Sequence, residues 1–419
     1  MSNIFREKKS LNLKPLALSI AVIAASSSTA TQAAEEGSFI DALTGGKAFA
    51  NLRLRYENAD LAGVDAPNAD ALTLDTSFGY KSKDYYGWSF LVEAEDVREV
   101  AGVRDFSVPP AGVRSPGGVP DFDIIADPET TELDQAFVQF KSNGFLAKLG
   151  RQVITHDGHR FIGHVGWRQD RQTYDGVTLG YESGGLALTG SYVTQRNRIF
   201  AEVADATSDD IFLNASYKFG GGKLVAYSYL LDDETTNTEL DTYGISYNGK
   251  FKSGSTGFNY GIEYATQDNE NTGADTDYFH INGGAKFGAV KIGLGYELLG
   301  SDDGTDGFAT PLATLHKFNG WADVFLGTPD IGLQDAYASL DVAIAGGKGG
   351  NFKLVFHDFT GDEDNAFGED DLGDEVDIQY TYNFNKHVYS GIKYANYNAG
   401  EAGNADTERF WAWVGFKFK

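Results

Sequence analysis

Cysteine is absent from this 419-residue chain, so it is not a small secreted scaffold braced by disulfides. Proline is scarce, at nine residues, and neither it nor any low-complexity segment forms a linker that would divide the chain into domains. Basic residues are outnumbered, 34 Lys and Arg against 60 Asp and Glu, and the resulting net charge of −26 excludes nonspecific nucleic-acid binding. Beyond residue 33 no apolar stretch reaches the roughly 18 residues that a membrane-spanning helix needs. Spanning strands, which need only about nine to eleven residues each, pass the same test.

The one long apolar run, Leu16 to Ala25, follows Arg6, Lys8, Lys9 and Lys14 and precedes small residues, with Thr31 and Ala33 placed for cleavage. It is too short to span as a helix. Residues 1–33 are therefore expected to be a cleaved signal peptide, and residues 34–419 a single exported domain.

What the remainder does have is alternation. Phe410, Ala412, Val414, Phe416 and Phe418 alternate with Trp411, Trp413, Gly415 and Lys417; Val290, Ile292, Leu294, Tyr296 and Leu298 alternate with Lys291, Gly293, Gly295 and Glu297. Eighteen such segments fit between about residues 48 and 418, including 85–98, 169–183 and 406–418. Tight turns such as 142–144, 183–184 and 385–386 alternate with long connections at 99–128, 154–168, 300–330 and 361–372. An even strand number and long loops on one side predict an all-β fold, a membrane-spanning antiparallel barrel with short periplasmic turns and long extracellular loops. Its apolar faces meet lipid, its polar faces line water, and closure leaves no backbone donor unpaired in hydrocarbon. The alternative is a soluble sandwich whose apolar faces meet in a core, but that has no reason to segregate its loops. The expected location is the outer membrane of a Gram-negative cell, among lipid and lipopolysaccharide and after delivery by the barrel-assembly machinery.

The first strand sends Leu52, Leu54 and Tyr56 one way and Asn51, Arg53, Arg55 and Glu57 the other; the third sends Glu93 and Glu95 toward water. Arginines grip planar carboxylates through paired hydrogen bonds. Arg53 and Arg55 can therefore contact an anionic solute, or can simply be neutralised by Glu93 and Glu95 inside the lumen.

Two longer runs are more specific. Gly150-Arg151-Gln152, Arg160-Phe161-Ile162-Gly163, Val165-Gly166-Trp167-Arg168-Gln169 and Gln172-Thr173-Tyr174-Asp175-Gly176 resemble the central signature of the alginate-export family of outer-membrane porins. His316-Lys317-Phe318-Asn319-Gly320-Trp321-Ala322-Asp323 with Phe325 to Pro329 resembles a late loop signature of the same family. The resemblance implies an 18-stranded, monomeric barrel with loops partly folded inward and an arginine-rich passage for anionic uronate oligosaccharides or polysaccharides. Asp75 departs from the family pattern, because an arginine often occupies that part of the second strand. The substrate track expected on this basis is Arg53, Arg55, Glu57, Glu93, Glu95, Arg160, Arg168 and Tyr174. A general porin for neutral oligosaccharides and small nutrients is the alternative, and a surface-binding barrel a further one.

The segment 154–168 is the expected constriction, with His156, Asp157, His159 and His164 in a glycine-rich connection and Arg151 and Arg171 at its flanks. Its histidines lack the cysteines or spacing of a zinc site, and no cofactor is required. Acidic loops at Asp302, Asp303 and Asp306, and at Asp362, Glu363, Asp364, Glu369, Asp370 and Asp371, could take calcium but lack a calcium-loop spacing. No nucleophile elbow or compact Ser-His-acid motif supports catalysis.

Overall fold

The computed structural model describes residues 38–62, 67–108 and 122–418, so the expected signal peptide and its cleavage point lie outside the described residues. A short helix, α1 (Phe39–Thr44), opens the chain, with Ser38 and Asp41 forming a reciprocal capping box. Eighteen strands follow: β1 (Lys47–Leu61), β2 (Ala69–Lys81), β3 (Trp88–Asp105), β4 (Thr130–Ser142), β5 (Phe145–Gln152), β6 (Thr173–Ser183), β7 (Leu186–Asn197), β8 (Ala206–Phe219) and β9 (Gly222–Asp233) make the first half. The second half is β10 (Thr238–Ser253), β11 (Thr256–Asn269), β12 (Ala274–Phe287), β13 (Val290–Leu299), β14 (Leu333–Ala343), β15 (Asn351–Thr360), β16 (Asp371–Asn383), β17 (Val388–Ala399) and β18 (Thr407–Phe418).

Each strand pairs antiparallel with its sequence neighbours, and β1 closes the barrel by pairing β2 on one side and β18 on the other, with Leu54 opposite both Leu74 and Val414. Closure removes the sheet edges that would otherwise leave N–H and C=O groups unpaired in lipid.

Alternation sorts the side chains. Leu149 and Leu294 on the outer wall are 63% and 67% exposed, whereas Arg55, Glu57 and Glu297 on the inner wall are almost fully buried. Apolar exposure on this scale is incompatible with a wet exterior and suits a hydrocarbon belt. Aromatic rings border the belt. Trp88 packs on Phe140 and Phe251 on Phe258 at the end carrying the tight turns. At the other end the outward Tyr56, Tyr264 and Tyr296 donate their hydroxyls to Asp70, Asp277 and Gln334. Such rings, greasy in body and polar at the tip, sit at membrane interfaces.

Two expected boundaries need correction. β3 runs on to Asp105, through the first part of the expected 99–128 loop, because a bulge beside Ala71 and Thr73 lets Asp70 and Ala71 keep pairing with Asp105 and Arg104. β6 begins at Thr173 rather than 169, because Gln169 to Gln172 are pulled off the wall into the lumen, where Gln169 bonds Thr73 and Arg53. The outer connections are also unequal: 234–237 and 270–273 have only four residues each. The barrel's buried apolar cluster lies inside it, where Ile154, Phe161, Phe308, Leu312 and Phe325 from the outer loops pack on wall residues such as Tyr174, Tyr278, Phe359 and Trp411.

Candidate functional site

Two outer loops, 153–172 and 300–332, fold into the lumen and interlock. The Gly163 amide donates to the Leu312 carbonyl at 2.7 Å, and the Thr314 amide to the His159 carbonyl at 3.0 Å. The Lys317 ammonium caps the Gly158 carbonyl at 2.6 Å. The approach is close enough that a Cβ on Gly163 would lie 2.4 Å from the Thr314 hydroxyl. Gly320 sits at φ +86°, with Glu375 occupying the space a side chain would need. That carboxylate accepts from the amides of Trp321 and Ala322, tying the second loop to the wall. Val165 is held at φ 51°, an unfavourable position for a β-branched residue, by the Thr314 hydroxyl on its amide and the Arg168 amide on its carbonyl.

Arginines fasten this crossing to the barrel. Arg168 donates to both oxygens of Glu57 at 3.0 Å and to Asp323 at 2.7 Å, so one guanidinium joins the wall to both loops. Burial opposes its charge, but Glu57, Asp323 and Asp127 outweigh that and raise its pKa. Arg160 donates to Glu297 at 2.8 Å and to Thr310 and Asn319 at 3.1 Å each. Arg55 spans Glu57, Asp127 and the Trp167 carbonyl, bringing in through Asp127 a further connection, the one between β3 and β4. Arg53 meets Gln169 and the Arg168 carbonyl. Arg53 and Arg55 thus engage loop groups, Asp127 and Glu57 rather than Glu93 and Glu95. Glu93 instead receives Arg171, which also grips Asp134, and Gln135. Glu95 is buried beside them on the same wall.

Among the other expected residues, Tyr174 points inward but lies beneath the first loop, donating to the Gly163 carbonyl at 2.9 Å. Arg151 shares the outward face of β5 with Leu149 and forms a bidentate pair with Asp175, outside the lumen. Asp157 pairs with Lys223 at 2.6 Å. His156 stacks on Tyr229, and burial lowers its pKa to about 4. His164 lies edge-on to His159, and burial, with the charges of His159 and Arg171, lowers it likewise to about 4. Burial is also the main cause of the lower pKa of His159.

A second fastening joins loop residues of both signature runs to a wall residue, Lys393, that the sequence pattern did not mark. His316 stacks on Trp167 at 4.5 Å, donates through Nδ1 to Asp323 at 2.7 Å and accepts through Nε2 from Lys393 at 2.9 Å. Those roles require a neutral imidazole, in keeping with burial lowering its pKa to about 3 against the pull of Asp323. The Lys393 ammonium lies 3.8 and 4.1 Å from the ring centroids of Trp167 and Trp321. Only Lys393's isolated position among apolar and small residues of its strand could have flagged it.

The crossing leaves a space on either side. One, of about 640 Å³, faces Lys291, Lys317, Lys353, Phe318 and Tyr337; the other, of about 720 Å³, faces Arg53, Asp75, Glu93, Glu95 and Arg171. Asp75 stands opposite Arg53 in the sheet register. Among the described residues no group of three or more His, Asp or Glu is placed to hold a metal ion.

A closed eighteen-stranded barrel with a lipid-facing belt and a charged lumen constricted by its own loops is a passive outer-membrane channel of porin type. A family model described as Alginate export matches residues 48–302, more than half the chain, and the chain belongs to that family, one of channels rather than catalysts. The matched span includes the first interlocking loop and stops at the start of the second. No curated protein sequence matches the chain. Solved structures show the same fold. Pseudomonas aeruginosa OccK9 (OpdG) is 16% identical, with 90% of this chain and 100% of that one covered at a TM-score of 0.69. Acinetobacter baumannii OccAB4 is 14% identical, covering 88% and 98% at 0.70. Pseudomonas aeruginosa OpdK, solved with vanillate, is 13% identical, covering 90% and 99% at 0.68.

Proposed function

We propose that the channel passes carboxylate-bearing saccharides, with alginate-like uronates the leading class, and that lysines rather than arginines select them. One observation carries this reading. Lys291, Lys317 and Lys353 face the aromatic compartment of about 640 Å³ with no carboxylate in ion-pair distance among the described residues, whereas Arg55, Arg160 and Arg168 are each committed to protein partners. An ammonium without a carboxylate partner in a confined lumen attracts a passing carboxylate, while Phe318 and Tyr337 add aromatic surface for a pyranose ring. Arg53, Arg55, Arg160 and Arg168 then act by holding the constriction in shape. The family description supports uronate as cargo.

The second reading is a general porin for small nutrients. It draws support from the engaged arginines, which leave no continuous cationic track, and from the fold shared with OpdK, solved with the small carboxylate vanillate. Liposome flux of a uronate trisaccharide and a neutral trisaccharide of equal size separates the two. Uronate should pass several-fold faster, and Lys291→Gln/Lys353→Gln should erase the preference while neutral flux holds. Equal fluxes through the unaltered protein would establish the general porin instead.

A further inference from the structure

The barrel's charge is segregated along its axis. The acidic loops 300–306 and 361–371 lie at one end, and lysines crowd the lumen wall beside the tight turns at the other. Three times the sheet register places two inward-facing lysines directly opposite each other: Lys47 and Lys81, Lys218 and Lys223, and Lys286 and Lys291. Their inward direction follows from strand phase, since each shares parity with buried residues of its own strand: Arg55 for Lys47, Asp75 for Lys81, Asp210 for Lys218, Val225 for Lys223, Tyr278 for Lys286 and Glu297 for Lys291. Like charges directly opposite destabilise a sheet. Among the described residues, only Lys223 of the six has an ion-pair partner, Asp157; Glu182 and Asp341 also face inward at this end, Asp341 opposite Lys291 in the register, and neither forms an ion pair. Five of the six lysines therefore have no ion-pair partner among the described residues, which leaves this positive charge for a partner from outside the chain.

We propose that these lysines form a collar that captures polyanions at the periplasmic mouth, so that the pore admits them far faster from that side than past its acidic outer loops. The tight-turn end is the periplasmic one in barrels of this kind. The collar borders the crossing, which Lys223 touches through Asp157, and it acts on entry rather than on passage. Facing charges in a low-dielectric funnel raise the local concentration and on-rate of an opposite charge by about 10 to 1,000-fold, an effect that salt screens. The identity of the cargo rests on the function proposed above; the sidedness does not.

The test is side-resolved block of single channels in planar bilayers. The chain lacks cysteine, so Phe367→Cys, at an outer-loop position that is 86% exposed, labelled with an impermeant maleimide reports which chamber faces the outer loops. Two probes are added in turn to each chamber: inorganic tripolyphosphate and a uronate hexamer. Block from the periplasmic side should begin at least about tenfold more often at 0.1 M salt, and this excess should vanish at 1 M. Lys47→Gln/Lys81→Gln/Lys218→Gln/Lys286→Gln should abolish the excess, and the matching Lys→Arg set should retain it, which separates lost charge from a damaged barrel. Equal block from both sides, or an excess unchanged in the glutamine set, would overturn the collar. If uronate shows no preference in liposomes while tripolyphosphate still blocks from one side, the cargo assignment fails and the collar stands.

Discussion

Arg168 joins both inward-folded loops to the barrel wall through one guanidinium. It is nine-tenths or more buried and touches the wall at Glu57 and both loops, one through its own backbone and one through Asp323. Breaking a buried pair by removing one partner costs up to about 3–5 kcal/mol, and less here because Glu57 keeps Arg55 and Arg409 and Asp323 keeps His316. Arg168→Met should therefore release the crossing and enlarge single-channel conductance, and adding Glu57→Gln and Asp323→Asn should restore a conductance near the original. Conductance unchanged in the single variant would show that the constriction is held elsewhere. The sequence marks Arg168 as inward and as part of a distinctive run, yet it carries no trace of the partners. Glu57 and Asp323 lie 111 and 155 residues away, and only the folded loops bring them within reach. For the same reason the arginines look like a substrate track when read along the chain and like fasteners once their partners are visible.

At the scale of elements, the strands were legible and the loop crossing was legible only in outline. A wall strand has one apolar and one polar face, so period two exposes it directly. The misplaced limits at 99–105 and 169–172 are places where a bulge prolongs pairing or a lumen contact ends it, and neither changes the local alternation. The loop 153–172 was marked by its histidines, but its partner strands were not. Its histidines also make the crossing sensitive to pH. His156 and His164 have pKa values of about 4 when docked, against about 6.5 when free. Protons therefore favour the released loop. Docking is fully supported above pH 6.5, weakens as pH falls toward 4, and loses nothing more from these groups below that. Open-channel noise and conductance should accordingly rise several-fold between pH 7.5 and 4.5. His156→Gln/His164→Gln should flatten the response, and an identical pH profile in that variant would assign the effect to carboxylates instead.

At the scale of the whole molecule, separated surfaces let an acidic chain hold the anion pathway proposed above. Apolar side chains face lipid, carboxylates crowd the outer loops, and lysines collect inside. The belt makes the strictest demand. Leu294 is in the middle of an outward row, and Leu294→Arg should cost about 2–4 kcal/mol at the bilayer midplane, seen as a lower denaturant midpoint for the barrel refolded in vesicles. An unchanged midpoint would place β13 in the opposite phase. Net charge read from composition points toward cations, whereas Lys291, Lys317 and Lys353 beside the constriction, without a carboxylate partner among the described residues, point toward anions. The narrowest charged region governs permeation. The reversal potential of single channels under a tenfold potassium chloride gradient decides between them. Chloride should be more permeant than potassium, with the potential moving toward zero in Lys291→Gln/Lys353→Gln; a potassium-selective pore in the unaltered protein would rule out anion selection by these lysines.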